Sequence, residues 1–323
     1  MKEIKFTDID GVKVGHSQNL EAATGCTVVI CEKGATAGVD VRGGSPGTRE
    51  TDLLNPVNMV QQIHAVMLSG GSAFGLDAAS GAMKYLEERN IGFDVQVTKV
   101  PIVCSAVLFD LFVGDHKVRP DLEMGYNACM NATNTECPNG NIGAGTGATV
   151  GKLLGLQRAM KGGLGSYAIQ VGNLKVGAIV AVNCLGDVIN PSTGEILAGL
   201  LNEDLHTFVG TENMMTANYD NKKNLFSGNT TIGVVATNGE FTKSEINKIA
   251  SMAHNGYART MRPAHSIFDG DTIFALSTGN VQADISTVGF LSARVMEQAV
   301  INAVKSASYL HGIKSYSDIA ELK

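Results

Sequence analysis

A chain of 323 residues, 44% hydrophobic and 17% charged, has the composition of a globular protein with a sizeable core. Its net charge of −6, without a cluster of Lys or Arg, leaves no basic footprint for nucleic acid. No uninterrupted apolar run is long enough to cross a bilayer, and Met1-Lys2-Glu3-Ile4-Lys5-Phe6 lacks the apolar stretch of a secretion signal, so a cytoplasmic protein is expected.

In chain order, short apolar runs predict strands at 27–31, 65–68, 107–113, 176–182, 231–236 and 273–276. A helix is predicted after Gly70-Gly71, with Ser72 as N-cap and Leu76, Ala79, Met83 and Leu86 as its apolar stripe. A second opens on the capping box Thr242-Lys243-Ser244-Glu245 and carries Ile246, Ile249, Ala250, Ala253 and Tyr257. A third carries Val288, Leu291, Val295, Ala299 and Ala303 and should stop near Gly312. The order predicts sheets covered by helices, in layers, within a single domain spanning 1–323. Six scattered cysteines, without a Cys-x-x-Cys pair, read as reduced and mostly buried thiols. Seven dispersed histidines offer no metal-ligand spacing, and no cofactor is expected.

Glycine-rich segments need their contexts checked. Gly70-Gly71-Ser72-Ala73-Phe74 lacks the final glycine of a nucleophile elbow. Gly143-Ala144-Gly145-Thr146-Gly147-Ala148 follows no strand and fails as a dinucleotide fingerprint. Gly151-Lys152-Leu153 is no phosphate-binding loop. A backbone pressed close to a neighbour accounts best for the segment 143–151.

Two stretches carry chemistry. In Gly228-Asn229-Thr230-Thr231-Ile232, a polar run over 202–229 passes directly into a buried strand. A hydroxyl held at the strand's first residue, behind a mobile neighbour, can attack the carbonyl before it. Cleavage would leave an α-amino group beside the same hydroxyl, which can take its proton. An Asn-Thr-Thr run that merely opens a strand is the plain alternative. In Phe268-Asp269-Gly270-Asp271-Thr272, Asp269 and Asp271 stand two apart at another strand mouth, where extended backbone points both to one side. Taken alone, the pair reads more simply as an Asp-Gly-Asp turn ahead of a strand; a protonated α-amino group would be a fitting partner for it.

These residues resemble the DmpA-type aminopeptidases, the L-aminopeptidase/D-esterase family that includes β-aminopeptidases and a nylon-oligomer endo-hydrolase. The resemblance runs nearly end to end. It includes Gly11-Val12-Lys13-Val14-Gly15-His16, Val41-Arg42-Gly43-Gly44-Ser45-Pro46-Gly47-Thr48-Arg49-Glu50, Leu68-Ser69-Gly70-Gly71-Ser72-Ala73-Phe74-Gly75-Leu76, Arg119-Pro120-Asp121, Gly125-Tyr126 and the stretch 143–152, besides the two above.

The resemblance implies an αββα four-layer sandwich, like the N-terminal nucleophile hydrolases in layering, and a precursor that cuts itself between Asn229 and Thr230. Thr230 would be the nucleophile. Asp269 and Asp271 would hold its ammonium, and Tyr126 and Asn183 would stabilise the oxyanion. Lys152 would lower the amine's pKa or assist the hydroxyl. Thr with Asp-Gly-Asp looks more like the nylon-oligomer branch than the Ser-dependent aminopeptidases, where a Ser-x-Glu arrangement takes the place of the two aspartates. The implied activity is hydrolysis of a small peptide, aminoacyl amide or amino-acid oligomer, by a homotetramer of the cleaved unit. No nucleic-acid or membrane partner is expected. Two alternatives stand beside it: acyl transfer of the ornithine acetyltransferase kind, and a non-catalytic scaffold with the same fold.

Overall fold

The computed structural model describes residues 1–220 and 228–320. Positions 221–227, part of the polar run expected to be mobile ahead of Thr230, lie outside the described residues. Among the described residues ten strands form two stacked leaves: β1 (Lys2–Ile4), β2 (Lys13–Asn19), β3 (Thr24–Val41), β4 (Thr48–Arg49), β5 (Ile63–Ser69), β6 (Val103–Val107), β7 (Gly163–Val171), β8 (Leu174–Val182), β9 (Ile232–Gly239) and β10 (Thr272–Val281). The first leaf runs β1-β7-β8-β9-β10-β3, and the second runs β2-β3-β5-β6-β4. Strand β3 belongs to both: Thr36 to Val41 pair with β10, whereas Thr24 to Ile30 pair with β2 and Cys26 to Ala35 with β5.

Alternation along each strand distributes the apolar side chains between two cores. Ile232, Val234, Ala236, Phe274 and Leu276 of the first leaf meet Val29, Val66, Leu68 and Cys104 of the second between the leaves. Their neighbours Val235, Ile273 and Ala275 point the other way, onto helices. Strands buried on both faces read as continuous apolar runs, which is why β9 and β10 are conspicuous in the sequence.

Among the described residues the helices are α1 (Ala78–Glu87), α2 (Leu122–Met130), α3 (Thr211–Ala217), α4 (Lys243–Thr260), α5 (Ile285–Ser306) and the short α6 (Tyr316–Ala320). The buried faces of α4 and α5 cover the first leaf through Ile246, Ile249, Val288 and Val295. Helices α1 and α2 cover the second through Ala78, Ala82, Leu86 and Ala128, against Val28, Ile30 and Met67. The result is an αββα sandwich. The Thr242 capping box is formed, with Glu245 Oε2 accepting from the Thr242 amide at 2.9 Å.

Three expected elements end elsewhere. The strand read at 107–113 ends at Val107, because Asp110 turns inward to accept from the Gly71 amide and the Thr24 hydroxyl, each at 2.7 Å. Ser72 does not cap α1; it opens a short 3-10 turn, Ser72–Asp77, behind Gly71 in the left-handed region. The long helix stops at Ser306, and Gly312 (φ +82°) turns the chain afterwards. The polar run also contains α3, a helix the sequence pattern does not announce. Five of the six cysteines are buried and Cys137 is half-buried.

Candidate active site

Register brings the two chemistry-bearing stretches together. Strands β9 and β10 are parallel, with Ile232 opposite Thr272, so the residues ahead of both emerge on one edge of the leaf. Strand β8 is antiparallel to β9, with Ala181 opposite Ile232, so Asn183, just past its end, arrives at the same edge. The Thr230 amide donates to the Asn183 carbonyl at 2.9 Å, and the Thr272 amide to the Thr231 carbonyl at 3.1 Å.

Thr230 is buried, with 4% of its surface exposed. Its Oγ lies against the carbonyl oxygen of Asn229, to which the hydroxyl donates. The Gly270 amide donates to that same Oγ at 3.1 Å. A Cβ on residue 270 would fall 2.7 Å from it, so glycine is what allows this approach. The hydroxyl is thereby aimed at the peptide unit that precedes it.

Asp269 and Asp271 flank Gly270 and are fully buried. Asp271 Oδ1 accepts from the Thr231 amide at 2.9 Å, while its Oδ2 accepts from the His265 amide at 3.0 Å and contacts His265 Nδ1 at 2.9 Å. Asp269 accepts from the Leu185 amide at 3.3 Å, from the Ser266 amide at 3.0 Å and from the Ser266 hydroxyl. Burial, reinforced by the charge of Asp271, raises the Asp269 pKa to about 6. The loop after β3 supports this turn from outside: Arg42 donates its amide to the Asp271 carbonyl and Ser45 to that of Asp269.

Lys152 enters from the end of the glycine-rich segment, its amide bonded to the Leu185 carbonyl. Nζ donates to the Asn183 carbonyl at 3.1 Å, to Asn183 Oδ1 at 2.8 Å and to the Gly228 carbonyl at 3.0 Å. Three acceptors use all three protons of an ammonium. Burial pulls its pKa down to about 7, against the nearby carboxylates of Asp269, Asp110 and Asp271. Asn183 Oδ1 also accepts from the Thr149 amide at 2.9 Å, and Asn183 Nδ2 donates to the Phe109 carbonyl at 3.0 Å.

Five of the six residues singled out from the sequence therefore converge: Thr230, Asn183, Lys152, Asp269 and Asp271. Tyr126 does not join them. Its hydroxyl donates to Glu88 Oε2 at 2.7 Å in the outer helix layer, and Lys84 lies 4.5 Å from its ring centroid. Gly125 faces the close crossing with α1, where a Cβ would meet the Ala78 carbonyl at 1.9 Å. The next residue is turned by about 100° around α2, away from that contact.

Phe109 lines the cleft with Phe268, Thr230, Asn229 and Gly228. It lies in the run read as a strand interior, so nothing in the pattern marks it. His265 was missed among dispersed histidines; its signal is nearness in sequence to the Asp-Gly-Asp turn.

The model of Peptidase family S58 matches residues 5–317. An uncharacterised aminopeptidase of Mycobacterium leprae is 40% identical over 96% of this chain and 92% of its own length. A 6-aminohexanoate-oligomer endohydrolase of Kocuria sp. is 31% identical over 92% of this chain and 85% of its own. Among solved structures, an L-aminopeptidase D-Ala-esterase/amidase of Ochrobactrum anthropi, described as a variant among the Ntn hydrolase fold, gives a TM-score of 0.71. It is 18% identical over 94% of this chain and 86% of that one, a likeness of fold.

Proposed function

The chain belongs to peptidase family S58 and is a hydrolase acting on amide bonds; on that premise we propose that it cuts itself between Asn229 and Thr230 and then uses Thr230 as its nucleophile. In maturation, Thr230 Oγ bonds to the Asn229 carbonyl carbon, the carbon–nitrogen bond breaks, and the hydroxyl proton passes to the Thr230 nitrogen. Water opens the resulting ester. The freed amine then serves as general base while Oγ attacks a substrate amide and forms an acyl-enzyme that water hydrolyses.

Asp269, Asp271 and the Gly270 amide fix the nucleophile's surroundings in this reading, and His265 orients Asp271. Lys152 neutralises charge developing next to the cut. Asn183 links the Lys152 ammonium to the end of β8. Residues 230–323 contain β9, β10, α4 and α5, with β9 between β8 and β10, so the two products share one core and stay together. Small peptides, aminoacyl amides and amino-acid oligomers are the proposed substrates, in keeping with relatives named as an aminopeptidase and an oligomer endohydrolase.

The observation that carries the proposal is the Thr230 hydroxyl, held by the Gly270 amide against its own preceding carbonyl. N-terminal sequencing of the shorter product should read Thr-Thr-Ile-Gly-Val. Thr230→Ala should give an intact, folded and inactive chain. A Thr230→Ala protein that is still cut and active would rule the nucleophile out.

A further inference from the structure

The residues just ahead of Thr230 occupy ground that a substrate must use. Gly228 and Asn229 line a cleft of about 130 Å³ with Thr230, Phe109 and Phe268, well short of the roughly 300–1,000 Å³ of an ordinary small-molecule site. The chain's own segment fills the space on the acyl side of the Asn229–Thr230 bond. Its carbonyl at Gly228 is bound by Lys152 Nζ at 3.0 Å.

Gly228 has φ +56°, and a Cβ built on it would lie 2.2 Å from Cδ1 and 2.5 Å from Cγ of Phe109. Those atoms are at the root of the ring, so turning its tip would not relieve the collision. Phe109 itself is held: its carbonyl accepts from Asn183 Nδ2, and its ring packs on Phe112 with centroids 5.0 Å apart. Among the described residues, those lining the cleft carry no ionisable side chain, so an ammonium placed there would meet no counter-charge from them.

Resting on the reading of Thr230 as nucleophile, we propose that Lys152 and Phe109 form an acyl-side subsite through which a substrate retraces the path of Gly228 and Asn229. The carbonyl one unit upstream of the scissile amide accepts from Lys152. The carbon bearing that carbonyl cannot carry an L side chain, because Phe109 fills its place. The substrate class is an uncharged chain cut internally, with a glycyl unit or another without an L side chain next to the residue that is acylated onto Thr230.

The mature enzyme, assayed on three p-nitroanilides, tests this: N-acetyl-Gly-Asn, N-acetyl-Ala-Asn and Asn with a free amino group. The glycyl compound should exceed the alanyl one in kcat/KM by about tenfold or more, and Phe109→Ala should bring the two within about threefold. The free Asn anilide should be the poorest. Equal wild-type rates on the first two, a preference for free Asn, or no turnover of any by an enzyme that cuts other amides would overturn the subsite. So would an undiminished glycyl preference in Phe109→Ala. Should that variant not fold, the wild-type comparison of the glycyl and alanyl anilides decides the matter by itself.

The precursor offers a second readout. Gly228→Ala should slow self-cleavage, and Phe109→Ala in the same chain should restore it; the pair separates the collision from the strain of alanine at positive φ. Unslowed cleavage in Gly228→Ala, or no restoration in the double variant, overturns the collision. Failure of the nucleophile assignment has a different signature, a Thr230→Ala chain that is still processed.

Discussion

Two lysines are buried in this protein in similar chemical surroundings, yet they stand in different relations to the cleft. Burial lowers the pKa of Lys152 and of Lys161 alike, each to about 7. Lys161 Nζ donates to the Thr146 carbonyl at 2.8 Å and the Ala148 carbonyl at 2.7 Å, fastening the glycine-rich segment to the short strand Met160–Lys161. Lys152 donates to Asn183 and to the Gly228 carbonyl, two residues before Thr230. A shifted pKa therefore does not distinguish a structural lysine from one at a reactive site. The acceptors do: those of Lys161 are fixed parts of the fold, whereas one acceptor of Lys152 belongs to the chain proposed to be cut.

The largest expected effect tests that contrast directly. Lys152→Met should slow self-cleavage by about 10²–10³-fold, the loss seen when a donor beside a developing charge is removed. Lys161→Met should leave cleavage by the folded protein nearly unchanged but lower its unfolding free energy by roughly 2–5 kcal/mol, because two buried carbonyls lose their donor. Gel time courses and urea titrations read the two quantities separately. A stable Lys161→Met protein that cannot cleave itself would collapse the contrast.

The pH dependence sharpens it. If self-cleavage needs the Asp269 carboxylate ionised and the Lys152 ammonium charged, its rate should peak between the two values, about 6 and about 7. The rate rises as Asp269 loses its proton and falls as Lys152 loses its own. Lys152→Met should lack the descending limb over pH 5–9, and Asp269→Asn the ascending one. Stability carries the opposite sign for Asp269. Its folded pKa is raised from 3.8 to about 6, so this group's stabilising contribution is full below 3.8 and is lost as pH rises through 6.

Smaller effects are expected at the supporting residues. His265→Ala removes a partner of Asp271 Oδ2 and should lower the cleavage rate by about tenfold. His265→Asn, which can still donate, should recover most of it; equal loss in both would make His265 a packing residue. Tyr126→Phe should change neither cleavage nor turnover beyond about twofold, as befits a residue in the outer helix layer. A large loss there would return Tyr126 to the chemistry.

What the sequence by itself determined was local. The apolar runs of β8, β9 and β10 declare strands buried on both faces, the Thr242-to-Glu245 spacing declares a helix start, and Gly-Asn-Thr-Thr and Asp-Gly-Asp declare unusual strand mouths. Each signal lies within a few residues and follows from a backbone period or a turn preference. The tertiary structure decided which of those mouths meet. Asn183, Thr230 and Asp271 lie far apart in the chain and converge only through the antiparallel register of β8 with β9 and the parallel register of β9 with β10. It also decided where periodic reading fails. The run 107–113 breaks because Asp110 accepts from Gly71 and Thr24, residues distant in sequence, and this leaves Phe109 at the cleft. Tyr126, one residue beyond a helix crossing that only glycine permits, is turned towards Glu88. Periodicity encodes which face a residue takes on its own element. Its neighbours across the fold are set by register and packing, to which residues remote in sequence contribute.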